Sequence, residues 1–147
     1  MAETRARICD TDADRAAALD VRRVVFVEGQ GVPEDLEVDG LDPVCTHFVA
    51  ENLEGGRWRV VGAARLRSKG DRAKCERVAV LEAHRGQGLG VLLMAALEDE
   101  AREQGYGRVV LHAQVQVVEF YEKLGYKAEG LVFDEAGIDH RSMSKRL

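Results

Sequence analysis

The apolar positions of the first third of the chain predict a strand, a helix and then an irregular segment. Residues 5–9 fit a short strand, and Thr11 and Asp12 offer an N-cap for a helix over residues 14–28. The predicted apolar stripe of this helix consists of Ala17, Val21, Val24, Val25 and Phe26. Residues 29–43 are rich in Gly, Pro and acids, which predicts a loop or a broken helix.

Three strands are predicted to follow, over residues 46–52, 57–67 and 74–81. Glu54-Gly55-Gly56 separates the first two strands and suits a hairpin turn. The third strand contains Val78-Ala79-Val80, which is apolar at every position. Such a run is typical of a central strand that is covered on both faces.

The second half of the chain predicts alternating helices and strands. Leucines and alanines recur at helical spacing from Leu89 to Ala101, and Gly105 is placed to end that helix. A strand over 108–113, a short helix over 117–124 and strands over 126–130 and 140–145 complete the pattern. This order predicts an α/β sandwich on a mixed, mostly antiparallel sheet, with residues 1–147 as a single domain.

The composition excludes several classes of protein. No apolar run approaches the ~20 residues that span a bilayer, and residues 1–10 lack the apolar stretch of a secretion signal, so we expect a cytoplasmic protein with no membrane partner. Cys9, Cys45 and Cys75 are scattered singly, which argues against disulfides and a zinc site. The formal net charge of −5 makes nucleic acid an unsuitable partner.

A glycine-rich segment, Arg85-Gly86-Gln87-Gly88-Leu89-Gly90, lies between the predicted buried strand and the long helix. Helix N-termini present unpaired N–H groups and a positive dipole end, which attract phosphate. Glycines allow close approach of a ligand, and an arginine adds charge-assisted hydrogen bonds. By themselves these residues also fit a turn whose glycines serve only helix packing.

Two nucleotide-binding motifs do not fit this segment. A P-loop requires a Lys-Ser or Lys-Thr pair after the glycines, and none follows here. The dinucleotide fingerprint requires GxGxxG and an acidic residue after the next strand. Gly86, Gly88 and Gly90 instead give GxGxG, and the next strand ends at His112-Ala113-Gln114.

Arg85-x-x-Gly88-x-Gly90 matches the Q/R-x-x-G-x-G/A signature of the GNAT superfamily of N-acetyltransferases, and the chain resembles that family. Val78-Ala79-Val80 stands where the family has its fourth strand, and Phe120 to Tyr126 is similar to its FYEKxGF segment. The resemblance is specific over residues 74–130. The N-terminal third and the tail around residues 135–140 resemble a branch of small GNAT proteins whose substrates are mostly unassigned.

The resemblance implies a fold in which the fourth and fifth strands splay apart, with acetyl-CoA as acyl donor in the gap. Carried over to this chain, Val78, Ala79 and Val80 would pair with pantetheine. The loop, comprising Arg85, Gly86, Gln87, Gly88, Leu89 and Gly90, would hold the pyrophosphate. Gln114 stands where the family often has a cofactor-binding Asn, and its amide can make the same hydrogen bonds from a longer stem.

The resemblance also implies direct attack of an amine on the thioester. Tyr121 matches the family tyrosine that protonates the departing thiolate and contacts the cofactor, although a core aromatic is the alternative. Glu76, two residues before Val78 and therefore expected on the same face, is the candidate general base. A salt bridge with neighbouring basic residues is the competing interpretation. His112 and His140 are further candidates because histidine titrates near neutral pH.

The acceptor is expected to enter between residues 28–43 and 133–140, where Glu28, His112 and His140 are the candidate substrate-binding residues. The many acids of this region predict a rim that attracts a cationic amine, or simply a solvated acidic surface. We therefore predict an N-acetyltransferase that acts on a small-molecule amine without a metal, in a family where homodimers are common. A non-catalytic acyl-CoA sensor and a transferase for another acyl group are the alternatives.

Overall fold

The computed structural model describes residues 3–147, and one seven-stranded sheet forms their centre. The strands follow one another across the sheet in the order β1-β2-β3-β4-β5-β7-β6. Their bounds are β1 (Thr4–Ile8), β2 (Thr46–Glu54), β3 (Arg57–Lys69), β4 (Arg72–Val80), β5 (Arg108–Gln114), β6 (Lys127–Glu135) and β7 (Ile138–Arg146). Only the β4–β5 pair is parallel, so the predicted mixed, mostly antiparallel sheet is confirmed.

The first helix, α1 (Asp12–Arg22), is capped by Thr11, whose hydroxyl accepts a hydrogen bond from the Asp14 amide at 3.1 Å. The helix then widens into a π-helical turn, Arg23–Glu28. The buried face carries Ala18 where the sequence pattern predicted Ala17, together with Val21, Arg22 and Val25. The following irregular segment contains the single turn α2 (Glu34–Glu37) and a 3₁₀ turn at Asp42–Val44.

Helices α1 and α3 (Leu89–Glu103) cover opposite faces of the sheet, which follows from the alternation of side chains along the strands. Val49 and Ala63 pack with α1, whereas Phe48 and Ala50 pack with α3. The contacts of α1 lie on β2, β3 and β4. In the part of the chain that is described, the same face of β5, β7 and β6 carries no helix, and this uncovered face is important below.

The last third of the chain forms the short helix α4 (Val118–Lys123) and the β6–β7 hairpin. Sequence analysis ended the first of these strands at residue 130, but β6 continues to Glu135 past an irregularity at Gly130. Ala136 and Gly137, with φ of 54° and 79°, form the turn. Two successive left-handed residues give the tight turn that suits a hairpin, and the Ala-Gly pair is a weak sequence signal for it.

Strands β4 and β5 separate along their length, as the resemblance implied. They pair at Ala73–Val109, Lys74–Val110 and Cys75–Leu111, and no pairing continues beyond these positions. Because both strands run on past the last pair, a wedge opens between them. Within residues 3–147, no helix combines the length and the apolar character that crossing a membrane requires.

Candidate active site

A cleft of about 900 Å³ occupies the wedge between β4 and β5. Its walls come from the two separating strands, the start of α3, the π-helical turn and the end of the β6–β7 hairpin. Every residue that sequence analysis assigned to catalysis, cofactor or substrate lines it except Gln87 and Glu28. The wedge therefore brings together residues from positions 76 to 140 of the chain.

The glycine-rich loop presents backbone amides to one end of the cleft. Gly86 and Gly88 have φ of 80° and 79°, a conformation that side-chain-bearing residues rarely adopt, and a Cβ on either would point into open space. The first bond of α3 runs from the Leu92 amide to the Gly88 carbonyl at 3.1 Å. The amides of Leu89, Gly90 and Val91 therefore remain as free donors at the positive end of a fifteen-residue helix.

Gly90 has a different role from the other two glycines. A Cβ at this position would lie 3.0 Å from Cζ of Phe120, so the missing side chain allows α4 to approach the start of α3. This contact brings the residue next to Phe120, Tyr121, to the cleft. Part of the motif therefore serves packing, as the alternative interpretation of the glycines proposed.

The apolar run of β4 lies between α1 and α3, and its edge borders the cleft. Ala79 is buried under α1, but Val78 and Val80 are half-buried because they face the wedge. The expectation of a strand covered on both faces is confirmed, and the separation of β5 leaves the edge of β4 at these two valines open to the cleft. Arg85 Nε donates a 3.0 Å hydrogen bond to the Val80 carbonyl, and this bond draws the guanidinium to the edge of β4.

Tyr121 is 7% exposed and lines the cleft from α4. Its ring packs edge-on against Phe120 and Tyr126, with centroid distances of 4.9 and 5.8 Å. Burial, and to a smaller extent Cys75, raises the pKa of its hydroxyl well above the ordinary range. The phenol therefore keeps its proton at neutral pH and has it available for donation.

Gln114, at the end of β5, bonds across the cleft to Gln30. The two side-chain amides exchange hydrogen bonds of 2.8 and 3.2 Å, and Gln116 donates to Gln114 at 2.6 Å. Gln30 follows the π-helical turn and is 84 residues away in sequence. An amide pair thus joins the two walls, and Gln30 was not among the residues that sequence analysis selected.

Glu76 is engaged by three basic side chains. Its carboxylate lies 2.9 Å from Arg65, 2.7 Å from Arg67 and 3.3 Å from Lys74. Burial is the largest effect and raises its pKa, but the hydrogen bond from Arg67 and the charges of Arg65 and Lys74 outweigh it and lower the pKa to about 2. A carboxylate with so low a pKa is a weak base, so the contacts favour the salt-bridge interpretation.

The alternation of a regular strand predicted that Glu76 and Val78 share a face, and this prediction is wrong. Arg77 has φ of 59°, and the β3–β4 register shifts between Ala63 and Arg65. This bulge inserts an extra residue, so Glu76 shares its face with Ala79 and points towards Arg65.

The ion pairs of Glu76 belong to a larger charge network that fixes the segment after α1 to the sheet. Arg65 is fully buried and also contacts Asp39 and Asp42 at 2.7 and 2.9 Å. Arg22, also buried, contacts Asp42 at 2.7 Å and Glu37 at 2.9 Å. We use the term charge network for Arg22, Glu37, Asp39, Asp42, Arg65, Arg67, Lys74, Glu76 and Arg77.

The acidic rim expected from the sequence is therefore largely neutralised. Glu37, Asp39 and Asp42 are held by arginines of the charge network instead of facing an incoming amine. Glu28 pairs with Arg23, five residues earlier, and lies outside the cleft because the π-helical turn directs Val25 and Phe26 inward. Its expected contact with substrate is not supported by this position.

His112 and His140 meet at Glu135 at the opposite end of the cleft from the loop residues. His112 Nδ1 lies 2.9 Å from Glu135 Oε1, and His140 Nε2 lies 3.7 Å from Glu135 Oε2. The hydrogen bond with His112 is the main reason that the pKa of Glu135 is lowered, although burial raises it. Phe133 packs edge-on against His112 at 4.9 Å. Among residues 3–147, no group of three metal-binding side chains is arranged to hold an ion.

Comparison with known proteins assigns the chain to a family. The family model described as "Acetyltransferase (GNAT) domain" matches residues 46–147, which is more than half of the chain. The chain belongs to the GNAT family of acetyltransferases. This GNAT protein is 39% identical over 142 residues to the uncharacterized N-acetyltransferase YjcF of Bacillus subtilis (strain 168), covering 96% of this chain and 99% of the relative.

Solved structures agree with the sequence match. An acyl-CoA N-acyltransferase from Pseudomonas aeruginosa is 28% identical, with a TM-score of 0.80 and 99% of each chain covered. An aminoglycoside 6′-N-acetyltransferase complexed with coenzyme A is 18% identical, with a TM-score of 0.75 and 96% of each chain covered, and shares the fold. The GNAT protein is therefore an acyltransferase, of a family that uses acyl-CoA and modifies amines.

Proposed function

We propose that this GNAT protein transfers an acetyl group from acetyl-CoA to a primary amine of a small molecule, by direct attack within a ternary complex. One observation carries the proposal. The residues at the start of α3 and the side chain of Tyr121 line the same cleft, which opens where β4 and β5 separate. Such a cleft suits an elongated donor whose reactive end lies between the strands.

The donor would be held by the residues that present unpaired backbone groups to the cleft. Gly86, Gly88 and the first amides of α3 would bind the pyrophosphate, and open space next to both glycines leaves room for it. Val78 to Val80 would offer the strand edge that β5 has left, and Gln114 would contribute its amide. When bound, acetyl-CoA supplies an activated thioester carbonyl.

Two groups that line the cleft would handle the protons. Tyr121 would protonate the leaving thiolate, because its raised pKa keeps the phenol neutral. His112 would accept the ammonium proton. Its Nδ1–H donates to Glu135, which leaves Nε2 as the free acceptor. His112 therefore replaces Glu76 as our candidate base, and His140 supports Glu135 from the other side.

Binding of acetyl-CoA should be measured first, by calorimetry on the wild type and on Gly88→Trp. Tryptophan at this position fills the space in front of the α3 amides, so we expect binding to be lost. Gly55→Trp is the matched control, because Gly55 also has a positive φ and open surroundings but lies in the β2–β3 turn. If the folded wild type does not bind acetyl-CoA, the proposal is wrong.

Catalysis is then tested by thiol release with pooled amines. We expect Tyr121→Phe to lower kcat by at least ~100-fold while the Kd for acetyl-CoA is retained, the size expected for loss of a general acid. We expect His112→Ala to lower kcat by ~100-fold, the size expected for loss of a general base, again with the Kd for acetyl-CoA retained. Binding without turnover on any amine would instead support an acyl-CoA sensor, and faster turnover with a longer acyl donor would support another acyl specificity. The cytoplasmic location, the single domain and the homodimer stay predictions.

A further inference from the structure

A second cavity, of about 390 Å³, lies on the uncovered face of the sheet beside β5. We call it the basic pocket. Its charged lining consists of Lys69, Arg72 and Arg108 against the single carboxylate of Glu129, with Ser142 and Ser144 between them. This is an unusual concentration of positive charge for a chain with a formal net charge of −5. Like charges held close together repel one another, and an anion bound between them would offset this repulsion.

The cations of the basic pocket are poorly neutralised by the protein itself. Arg108 donates to the Ser144 hydroxyl at 3.0 Å, and no ion pair of Arg108 or Lys69 is present within residues 3–147. Arg72 has one carboxylate nearby, that of Asp71 at 4.0 Å, which is almost fully exposed. The charge of Lys74 is the main reason that the pKa of Lys69 is lowered, with burial, Arg67 and Arg72 adding to it. These side chains therefore remain available to an external anion.

The basic pocket adjoins the acceptor end of the cleft. His112 and Leu111 line both cavities. The side chains of His112, Val110 and Arg108 lie on one face of β5, because alternate residues of a strand share a face. At ~3.3 Å per residue, Arg108 is ~13 Å along the strand from His112. A small molecule can span this distance with an amine at one end and an anionic group at the other.

We infer that the basic pocket binds an anionic group of the acceptor, so that the acceptor is an amine that also carries a carboxylate or a phosphate. This inference rests on the proposed function, because it assigns the amine to the His112 end of the cleft. Arginine and lysine bind anionic oxygens through short, charge-assisted hydrogen bonds. The Ser144 hydroxyl accepts from Arg108 and donates to Glu129 at 2.6 Å, so the cations are the donors that face the anion. The acidic residues of the sequence suggested that the site selects its acceptor by the positive charge of the amine. The basic pocket instead selects it by an anionic group on the same molecule.

The pocket can be tested without catalysis by titrating inorganic phosphate into the protein and following backbone amide shifts by NMR. The Gly88→Trp background removes phosphate binding at the start of α3. We expect phosphate to shift the amide signals of residues in β5 and β7 around Arg108 and Ser144. The phosphate affinity obtained from these shifts should fall by ~10- to 100-fold in Arg108→Gln and recover in part in Arg108→Lys. Arg57→Gln, an exposed arginine at the far end of β3, is the control. Equal phosphate affinity in the Gly88→Trp protein with and without Arg108→Gln would overturn the inference.

Activity provides the second test and separates the two classes of anion. Matched pairs of extended amines that can span the distance from His112 to Arg108 are compared, an ω-amino carboxylic acid with its amide and an ω-aminoalkyl phosphate with its unphosphorylated alcohol. We expect a ~10- to 100-fold higher kcat/KM for one anionic member, and loss of that preference in Arg108→Gln with the Kd for acetyl-CoA unchanged. Equal use of the neutral members would contradict the inference. Failure to bind acetyl-CoA at all would instead contradict the proposed function, and the phosphate titration would still stand.

Discussion

Replacement of Glu76 by Gln tests whether this carboxylate holds the charge network together or removes a proton from the substrate. Glu76 contacts Arg65, Arg67 and Lys74, and its side chain is 11% exposed. Gln has nearly the same shape but carries no charge, so it corresponds to the protonated carboxyl. The variant therefore measures how much the charge contributes, with little change in packing.

The magnitude follows from the pKa of Glu76. Its pKa falls from 4.5 to about 2 on folding, and each pKa unit corresponds to ~1.4 kcal/mol, so the charge stabilises the fold by ~3 kcal/mol at pH 7. Because the pKa is lowered, this contribution is complete above pH ~4.5 and is lost as the pH falls towards 2. The difference between wild type and Glu76→Gln should therefore shrink to ~2 kcal/mol near pH 3.5.

Urea denaturation of wild type and variant at several pH values measures these differences. Glu103→Gln is the matched control, since Glu103 is exposed at the end of α3 and should change the free energy of unfolding by less than ~0.5 kcal/mol. A Glu76→Gln protein as stable as this control, with kcat/KM lowered by ~100-fold and the ascending limb of the pH–rate profile removed, would refute our reasoning. That result would restore Glu76 as the general base.

Two further predictions concern the sheet and the buried thiol. Gly62→Ala should lower the free energy of unfolding, measured by urea denaturation, by about 1–3 kcal/mol. The reason is that the new Cβ would lie 2.9 Å from Ala50 Cβ and 3.1 Å from the Ala79 carbonyl oxygen in the centre of the sheet. Unchanged stability would show that the strands can separate freely there. Cys75 should resist a thiol reagent at pH 8 until the protein unfolds, since burial raises its pKa well above the ordinary range. The half-buried Cys45 should react in the folded protein. Mass spectrometry of labelled peptides distinguishes the two cysteines.

Local patterns in the sequence were sufficient for the elements and for one end of the site. The hydrophobic periodicity of residues 89–101 predicted α3, and the glycine spacing before it located the loop that lines the cleft. Tyr121 was selected because the segment around it matches the family motif, and it does line the cleft. These features depend on residues that are close together in the chain, so a sequence pattern records them directly.

The acceptor end was decided by contacts between residues far apart in the chain. Glu76 was assigned as a base because a regular strand places it beside Val78, but the bulge at Arg77 turns it towards Arg65 and its acidic partners Asp39 and Asp42. No local pattern specifies that an arginine on β3 will be buried with carboxylates from the segment after α1. Burial is what fixes these ion pairs, and burial is a property of the assembled sheet.

The sequence by itself determined the order of the elements, the family and the loop at the start of α3, because periodicity and short motifs need only neighbouring residues. The tertiary structure decided which charges remain available. It neutralised the acids of the expected rim, joined His112 to Glu135, and gathered Lys69, Arg72 and Arg108 from three strands into one pocket. The free charge of a site depends on distances across the sheet, and only the strand order β3-β4-β5-β7 sets those distances.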